Sequence, residues 1–253
     1  MKNLDTLLEL ALKAGKQAGK VLLEYKNKNT LWIKDDNSPV GLADIKSNEI
    51  ISEILSSSDI AICSEENILS YEARSKLEYF WLIDPLDGTK SYAKNDKEYC
   101  VLIALIHKNR PVLSLIVDVE NDAYYYAHTH TKVYKNEKLI NLDDEAYKKV
   151  QNIALYSKNH DNNEDFFIEN KLEGIKVSSA LKFVYLLEAK AGIYPRFGGP
   201  KAWDIAAGDF LIIQNGGIMQ DFNKNLLDYN TKDLALPSFI AFAKKEYILK
   251  DFQ

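Results

Sequence analysis

The sequence WLIDPLDGTK at residues 81–90 constrains the fold of this chain more than any other stretch. An apolar run of strand length leads directly into Asp84 and Asp87, with a proline and a glycine shaping the backbone around them. Hard cations such as Mg²⁺ prefer oxygen ligands, including backbone carbonyls. A turn over these residues can present both carboxylates and the Leu86 carbonyl to one point. Asp-x-x-Asp alone is more often an ordinary turn that ends a strand, so a metal site can be inferred only with support from other parts of the chain.

Two further acidic residues also lie at the boundary of a predicted strand or helix. Glu65 comes just after the apolar run that ends at Cys63, and Asp204 lies at the start of a predicted helix. Taken singly, a Glu-Glu pair is most often solvated, and an aspartate at a helix start is most often a cap. Beyond the acids, Gly88 and Thr89 lead into a predicted helical turn whose free N–H groups suit a phosphate oxygen.

The size and charge of the chain narrow the possible classes of protein. With 253 residues, of which 46% are hydrophobic and 27% charged, the chain suits one large globular domain or two compact halves. No segment approaches the ~20 apolar residues of a membrane-spanning helix, and the N-terminus does not resemble a signal peptide. The net charge of −5 disfavours nucleic acid as a partner. It also indicates that metal ions are needed where phosphate is handled.

The cysteine content predicts a reducing compartment. The chain has only Cys63 and Cys100, and nothing in the sequence suggests an oxidising environment. We therefore predict reduced thiols and a cytoplasmic protein, with peripheral association at the inner face of the cell membrane left open. The oligomeric state is not predictable from the sequence.

Periodicity predicts alternating helices and strands. Apolar spacing predicts a long amphipathic helix over residues 4–25 and a second helix capped by Asp44. Strands are predicted at 59–63, 79–83, 99–106, 111–119, 123–128 and 131–135. The order of predicted strands and helices changes at about residue 150. The rest of the chain comprises strands at 153–156, 217–221 and 238–243, helices at 163–171, 180–191 and 203–214, and a Gly/Pro-rich loop at 198–200. This change predicts an N-terminal α+β half over 1–149, with most metal ligands, and a C-terminal α/β half over 150–253, with Asp204 and the substrate contacts.

Four motifs together resemble the inositol monophosphatase superfamily. They are SPVGLAD at 38–44, SEE at 64–66, WLIDPLDGTK at 81–90 and WDIAAG at 203–208. Within that superfamily the chain is most similar to the CysQ-type 3′(2′),5′-bisphosphate nucleotidases, because it has Asp-Gly-Thr-Lys at 87–90, LKF at 181–183 and YPRFG at 194–198. The resemblance implies an αβαβα layered sandwich of the α+β class, with a large antiparallel sheet and a smaller C-terminal half.

The resemblance also assigns a metal site and an inhibitor. It implies two to three Mg²⁺ ions per site, with the first held by Glu65, Asp84 and the Leu86 carbonyl. A second ion would be held by Asp84, Asp87 and Asp204, and a weaker third would lie near Glu65. Asp44 and Thr89 would form the pair that orients and deprotonates the attacking water. Two such ions stabilise the attacking and leaving oxygens of an in-line displacement. Inhibition by Li⁺ is typical of the family.

Substrate contacts are implied at a second group of residues. Besides Glu65, Leu86, Asp87, Gly88, Thr89 and Asp204, these are Ser157, His160, Ser179, Lys182 and Arg196. Arginine and lysine suit a substrate that carries two phosphates. Ser179 and Lys182 are three residues apart, so one helical turn is expected to direct both at the same group. The sequence departs from the family pattern at Gly41, Ser91 and Ala180, which bear on the substrate rather than on the metal core.

Three functions are therefore compatible with the sequence. The leading one is the Mg²⁺-dependent hydrolysis of adenosine 3′,5′-bisphosphate to AMP and phosphate, a reaction of sulfur metabolism. The runner-up is an inositol or sugar monophosphatase that uses the same metal site. The third is a non-catalytic protein that binds nucleotide or metal, which the complete set of acidic residues argues against.

Overall fold

The structure is a computed structural model that describes residues 2–26, 31–33, 39–158 and 163–252. The helices are α1 (Leu4–Tyr25), α2 (Leu42–Ser56), α3 (Tyr71–Arg74), α4 (Thr89–Ala93), α5 (Asp144–Lys149), α6 (Glu164–Glu169), α7 (Leu181–Leu187) and α8 (Ala202–Gln214), with 3₁₀ turns at Lys245–Tyr247 and Lys250–Phe252. The strands are β1 (Leu31–Ile33), β2 (Pro39–Gly41), β3 (Ala61–Ser64), β4 (Tyr79–Asp87), β5 (Cys100–His107), β6 (Arg110–Asp118), β7 (Ala123–His128), β8 (Tyr134–Lys135), β9 (Lys138–Leu139), β10 (Ile153–Ser157), β11 (Glu173–Val177), β12 (Ile193–Arg196), β13 (Ile218–Asp221) and β14 (Phe239–Phe242).

The first two helices illustrate how far local pattern determines local structure. Helix α1 has the predicted bounds, and the Asn3 side chain caps it by accepting a hydrogen bond from the Asp5 N–H at 3.1 Å. Helix α2 begins at Leu42, so Asp44 is not its cap as predicted but lies in its first turn. Its carboxylate reaches back to accept the Gly41 N–H at 2.9 Å. A carboxylate in the first turn is also favoured by the helix dipole.

Within the described residues, the larger sheet has seven strands in the order β3-β4-β5-β6-β7-β8-β9. Its neighbours are antiparallel except for β3 and β4, which are parallel. The predicted large antiparallel sheet is thus confirmed with one parallel edge pair. The strand predicted at 131–135 is only Tyr134–Lys135, because the Thr131 N–H donates to the His128 carbonyl and forms a turn there.

The smaller sheet runs in the order β11-β10-β12-β14-β13 across the described part of the chain. Strands β11 and β12 are not predicted by the sequence pattern. The helix predicted at 180–191 is shorter, because α7 ends at Leu187 and Ala189 adopts a left-handed φ of 50°. That conformation interrupts an α-helix.

Helices and sheets alternate in layers around two main apolar clusters. Helices α1 and α2 pack on one face of the large sheet, where Leu22, Ile51 and Trp81 belong to one cluster. Helices α7 and α8 lie between the sheets, in a cluster that includes Leu82, Phe183 and Phe239. A smaller cluster with Ile193, Phe242 and the half-buried Phe166 of α6 covers the outer face of the small sheet. This is the predicted αβαβα arrangement. The proposed division at residues 149/150 stays a prediction, and the middle cluster draws residues from both sides of it.

None of the helices in the described ranges combines the length and apolar character needed to span a bilayer. Cys63 and Cys100 are both buried free thiols, in agreement with the prediction of unpaired cysteines.

Candidate active site

A β-bulge places Asp84 and Asp87 on the same face of the large sheet. Strand β4 continues through Asp87 rather than ending in a turn as the sequence analysis expected. Asp84 lies opposite Leu102 of β5 and Asp87 lies opposite Cys100. The two acids are therefore three residues apart in β4, whereas their partners are two residues apart in β5. Successive side chains of a strand alternate between faces, and one extra residue restores the same face for both acids. Pro85 lies in this irregular stretch, where the ladder does not need its missing N–H.

Glu65 reaches the same end of the sheet because β3 is parallel to β4. Ser64 pairs with Ile83, and the Glu65 N–H donates to the Ile83 carbonyl at 3.1 Å. Glu65 therefore leaves β3 beside the point where β4 reaches Asp84. The carboxyl ends of two parallel strands bring these acids together, as expected for residues that follow neighbouring strands.

Asp204 comes from the layer between the sheets. It lies in the first turn of α8, which begins at Ala202, and its carboxylate accepts the Lys201 N–H at 3.2 Å. The sequence pattern predicts Asp204 at the helix start, and in the structure it lies two residues inside α8. Helix α8 packs against β4, β5 and β6, so its N-terminal turn faces the large sheet.

The four acids interact electrostatically with one another, and Asp84 is buried while Glu65, Asp87 and Asp204 are half-buried. Burial, followed by repulsion from Glu65, Asp87 and Asp204, raises the pKa of Asp84 well above its usual range. Burial and then repulsion from Asp87 and Glu65 do the same to the pKa of Asp204. The pKa of Asp87 is also raised by burial, although Lys182 and the Ala180 N–H partly oppose the shift. Such a cluster gains most from a bound cation, because positive charge removes the repulsion and favours every ionised carboxylate.

Thr89 connects this cluster to Asp44. The Thr89 Oγ1 lies 3.1 Å from Asp44 Oδ1 and 3.2 Å from the Leu86 carbonyl oxygen. A hydroxyl has one proton, so Thr89 donates to only one of these acceptors at a time and keeps its lone pairs for another donor. Burial is the main cause that raises the pKa of Asp44 to about 6. The pair predicted for Asp44 and Thr89 is therefore present as a hydrogen bond.

Two contacts that support the site were missed by the sequence analysis. The Ser47 hydroxyl of α2 donates to the Pro85 carbonyl at 2.7 Å and ties that helix to the bulge. The Ala180 N–H donates to Asp87 Oδ2, which fixes the carboxylate from the C-terminal part of the chain. A lone serine and a backbone N–H have no recognisable sequence signal, because their role depends only on what the fold places opposite them.

Gly88 allows the segment before α7 to approach the bulge. Its φ is 96°, and a Cβ built on it would lie 2.9 Å from the Glu98 carbonyl oxygen and 3.2 Å from Ser179 Cβ. Both the left-handed conformation and the close approach favour glycine. Ser179 itself has a φ of 56° and precedes α7. The expected single helical turn through Ser179 and Lys182 is therefore wrong, because Ser179 lies outside the helix.

Lys182 is buried beside Asp87 rather than exposed to solvent. Only 3% of the residue is exposed, and its Nζ donates to the Ser179 carbonyl at 2.6 Å and to the Val177 carbonyl at 3.2 Å. Burial lowers the pKa of Lys182 to about 8, while the charge of Asp87 acts in the opposite direction. The lysine thus supports the 177–180 segment and carries positive charge next to the acids.

Of the remaining predicted contacts, Arg196 and Ser157 lie within the described residues and His160 lies outside them. Arg196 ends β12 and interacts electrostatically with both Asp87 and Asp204. Its buried Nε has no hydrogen-bond partner within the described ranges. Ser157 ends β10 and pairs with Val177, whose carbonyl binds Lys182. An arginine nitrogen without a partner beside two carboxylates is suited to an anionic ligand.

The donor set fits a hard cation by its chemistry. Glu65, Asp84, Asp87 and Asp204 are oxygen donors, and the Leu86 carbonyl oxygen lies within reach of Thr89 in the same cluster. Mg²⁺ takes one or two carboxylates together with water and substrate oxygens. Among the described residues, no group of three or more His, Cys, Asp or Glu side chains is arranged to hold a metal ion as it stands. The metal assignment therefore depends on the mutual repulsion of the acids and is a proposal.

Comparisons with known proteins identify the family of this chain. The profile of the inositol monophosphatase family matches residues 3–253. The 3′(2′),5′-bisphosphate nucleotidase CysQ of Salmonella typhimurium is 34% identical over 212 residues, which are 81% of this chain and 86% of that protein. CysQ of Buchnera aphidicola is 35% identical over 244 residues, covering 90% and 88% of the two chains. The crystal structure of CysQ from Bacteroides thetaiotaomicron superposes with a TM-score of 0.81 at 30% identity, covering 95% of this chain and 98% of that one.

The fold and the relatives define a layered α+β protein of a metal-dependent phosphatase family. The chain belongs to the inositol monophosphatase family. The resemblance stated from the four sequence motifs is thereby confirmed.

Proposed function

We propose that this chain is a Mg²⁺-dependent phosphomonoesterase that hydrolyses adenosine 3′,5′-bisphosphate to AMP and phosphate. The observation that carries the proposal is the partly buried cluster in which Glu65, Asp84, Asp87 and Asp204 repel one another. The names of the CysQ relatives support the choice of a nucleoside bisphosphate over other phosphate esters. The free, buried thiols of Cys63 and Cys100 support a cytoplasmic location.

Five ligands would hold two to three Mg²⁺ ions. These are the carboxylates of Glu65, Asp84, Asp87 and Asp204 and the carbonyl of Leu86. Bound divalent ions would supply Lewis-acid stabilisation of phosphoryl charge and a more acidic water. Asp84 is the member whose loss would matter most, because it feels the charge of all three other acids.

Thr89 and Asp44 would manage the proton of the attacking water. The Thr89 Oγ1 would accept a proton from that water while it donates its own to Asp44 Oδ1, which lies 3.1 Å away. With a pKa of about 6, Asp44 is mostly ionised at neutral pH and is able to receive the proton. The Gly41 N–H holds the other Asp44 oxygen at 2.9 Å, so the acceptor is fixed in place.

Lys182 and Arg196 would favour a substrate that carries more than one phosphate. Both are cations that interact electrostatically with Asp87, and the Arg196 Nε–H donates to no described residue. Gly88, Ser157, Ser179 and His160 complete the proposed substrate contacts. In the described structure a Cβ built on Gly88 would lie 3.2 Å from Ser179 Cβ, so a ligand there would meet both backbone segments.

The test is phosphate release from adenosine 3′,5′-bisphosphate and inositol 1-phosphate, with Mg²⁺ and Li⁺ titrated. We expect Mg²⁺-dependent, Li⁺-inhibited turnover that favours the nucleotide. Asp84→Asn should lower kcat by more than about a hundredfold, since even indirect partners of metal ligands are worth about 10–100-fold. The exposed Asp165→Asn makes the same charge change away from the site and is the control.

A thermal readout separates metal binding from turnover. Mg²⁺ at about 100 times its Kd should stabilise the wild type by about 2.7 kcal/mol, and Asp84→Asn should lose most of that gain. Faster turnover of inositol 1-phosphate would reverse the substrate assignment. Full activity in excess EDTA would overturn the metal mechanism.

A further inference from the structure

A lysine-rich cavity lies beside the candidate active site and is not used by the mechanism above. Its volume is about 270 Å³, slightly below the ~300–1,000 Å³ typical of small-molecule pockets. Its lining includes four lysines, one aspartate and a buried serine: Lys90, Lys94, Lys158, Lys176, Asp96 and Ser178. Four positive charges and one negative charge give a formal +3 for this lining, on a chain whose net charge is −5.

The positive charge of the cavity is only partly neutralised. Lys158 is held by Asp96 at 3.1 Å and by Glu98 at 2.8 Å, so this lysine is oriented but neutralised. Lys90, Lys94 and Lys176 form no ion pair with any acidic side chain in the described ranges. Clustered lysines repel one another, and an anion that bridges them removes that repulsion.

Ser178 provides an independent sign of a ligand. Its residue is 1% exposed, and its hydroxyl has no hydrogen-bond partner within the described residues although it lines the cavity. A buried hydroxyl without a partner destabilises the fold unless a ligand or water satisfies it. The Ser178 N–H is already used, because it donates to Glu98 Oε2 at 2.6 Å.

The cavity shares two chain segments with the candidate active site. Lys90 directly follows Thr89 in α4, and Ser178 directly precedes Ser179, which packs against Gly88. A ligand group in the cavity would thus lie next to a substrate bound at the acids. We propose that this cavity is a phosphate-binding subsite. The proposed function bears only on the source of the phosphate, which is either the non-reacting phosphate of the substrate or free orthophosphate.

The first experiment tests phosphate binding without turnover. Inorganic phosphate is titrated into the full-length protein in EDTA, and binding is followed by calorimetry. The Lys94→Gln/Lys176→Gln variant should bind phosphate at least about tenfold more weakly, because two charge-assisted contacts are lost. The control, Lys20→Gln/Lys138→Gln, removes two exposed lysines elsewhere and should match the wild type. Equal phosphate affinity in the two double variants would overturn the proposal.

Ser178→Ala tests the hydroxyl without changing charge. It breaks no described hydrogen bond of the side chain, so the unfolding midpoint should not fall, whereas phosphate affinity should drop a few-fold. A variant that loses no phosphate affinity would show that the hydroxyl is not part of the site and would count against the proposal.

Steady-state kinetics then identify the source of the phosphate. If the substrate supplies it, Lys94→Gln/Lys176→Gln should raise KM for the nucleoside bisphosphate at least about fivefold more than KM for a monophosphate. Equal KM changes, together with weakened orthophosphate binding, would assign the subsite to the free ion. Lysine-dependent phosphate binding in a protein that hydrolyses no ester would refute the proposed function and leave the subsite standing.

Discussion

Two glycines on the buried face of α1 allow a matched test of how closely this helix packs on the large sheet. A Cβ built on Gly15 would lie 2.7 Å from Leu115 Cδ2 and 2.8 Å from Val117 Cγ2. A Cβ on Gly19, one helical turn later, would have its nearest neighbour, Val117 Cγ1, at 3.7 Å. The first spacing is a clash and the second is an ordinary van der Waals contact, although both residues are buried in the same helix.

The expected free energies follow from that geometry. Replacing glycine by alanine inside a helix stabilises it by roughly 0.5–1 kcal/mol, and this gain is shared by both variants. Overpacking a well-packed core costs typically about 1–3 kcal/mol, and only Gly15→Ala should incur it. Gly19→Ala should therefore be more stable than the wild type, and Gly15→Ala should be less stable than Gly19→Ala by about 1–3 kcal/mol.

The assay is urea-induced unfolding followed by far-ultraviolet circular dichroism and tryptophan fluorescence, with coincident transitions required before free energies are compared. Neither glycine lies near the candidate active site, so phosphatase kinetics should be the same in both variants and serve as a check on folding. Equal stability of the two variants, or a more stable Gly15→Ala, would show that α1 does not lie as close to β6 as described.

Two further predictions concern the candidate site and the dependence of stability on pH. Gly88→Ala should destabilise the protein by about 1–2 kcal/mol, because Gly88 has a left-handed φ. It should also lower kcat/KM, because the new Cβ would push Ser179 from the bulge. The control is Gly216→Ala: Gly216 has a similar φ of 87° but is remote from the acids, so kcat/KM should not change. Burial opposes the charge of Glu188, but hydrogen bonds from Lys135, Lys190 and Tyr125 outweigh it and lower the pKa to about 2 from its usual 4.5. Because the folded pKa is the lower one, the stabilisation is present above about pH 4.5 and is lost as pH falls toward 2. Glu188→Gln should thus cost about 1–2 kcal/mol at pH 7 in urea unfolding, because solvent screens its half-exposed lysine partners, and much less near pH 2.5. The same cost at both pH values would refute the ion-pair explanation, and the exposed Glu173→Gln is the control.

Local pattern predicted the elements whose side chains repeat regularly. Helix α1 has its predicted bounds, because its buried positions recur with helical spacing over six turns' length of chain and a cap residue precedes them. Strand β11 was missed for the opposite reason. It is Glu-Gly-Ile-Lys-Val with only its last residue buried, so it lacks an apolar run, and its parallel pairing with β10 supplies the hydrogen bonds. Propensity does not report such pairing, which depends on tertiary context.

The residue types of the candidate site could be proposed from the sequence, whereas most of its contacts, apart from the Asp44–Thr89 hydrogen bond, could not. The acids could be recognised because each follows an apolar run of strand length or lies near the start of a predicted helix. The burial of Lys182 could not, because it depends on the carbonyls of Val177 and Ser179, in the segment before α7, which accept hydrogen bonds from the ammonium group. From the sequence alone, a lysine between two apolar residues is expected to be exposed, because the sequence does not show which acceptors the fold places near it.

One extra residue in β4 connects the motif to the proposed chemistry. In an uninterrupted strand, residues three apart point to opposite faces, so Asp84 and Asp87 would be divided between the α1/α2 layer and the layer between the sheets. Because β4 has one more residue than β5 in this stretch, both acids face the layer in which α8 carries Asp204. Leu86 remains in the apolar cluster under α1 and α2, where Ser47 anchors the neighbouring Pro85 carbonyl. The bulge therefore lets one short segment supply two carboxylates to the proposed metal site and a buried side chain to the core beneath it.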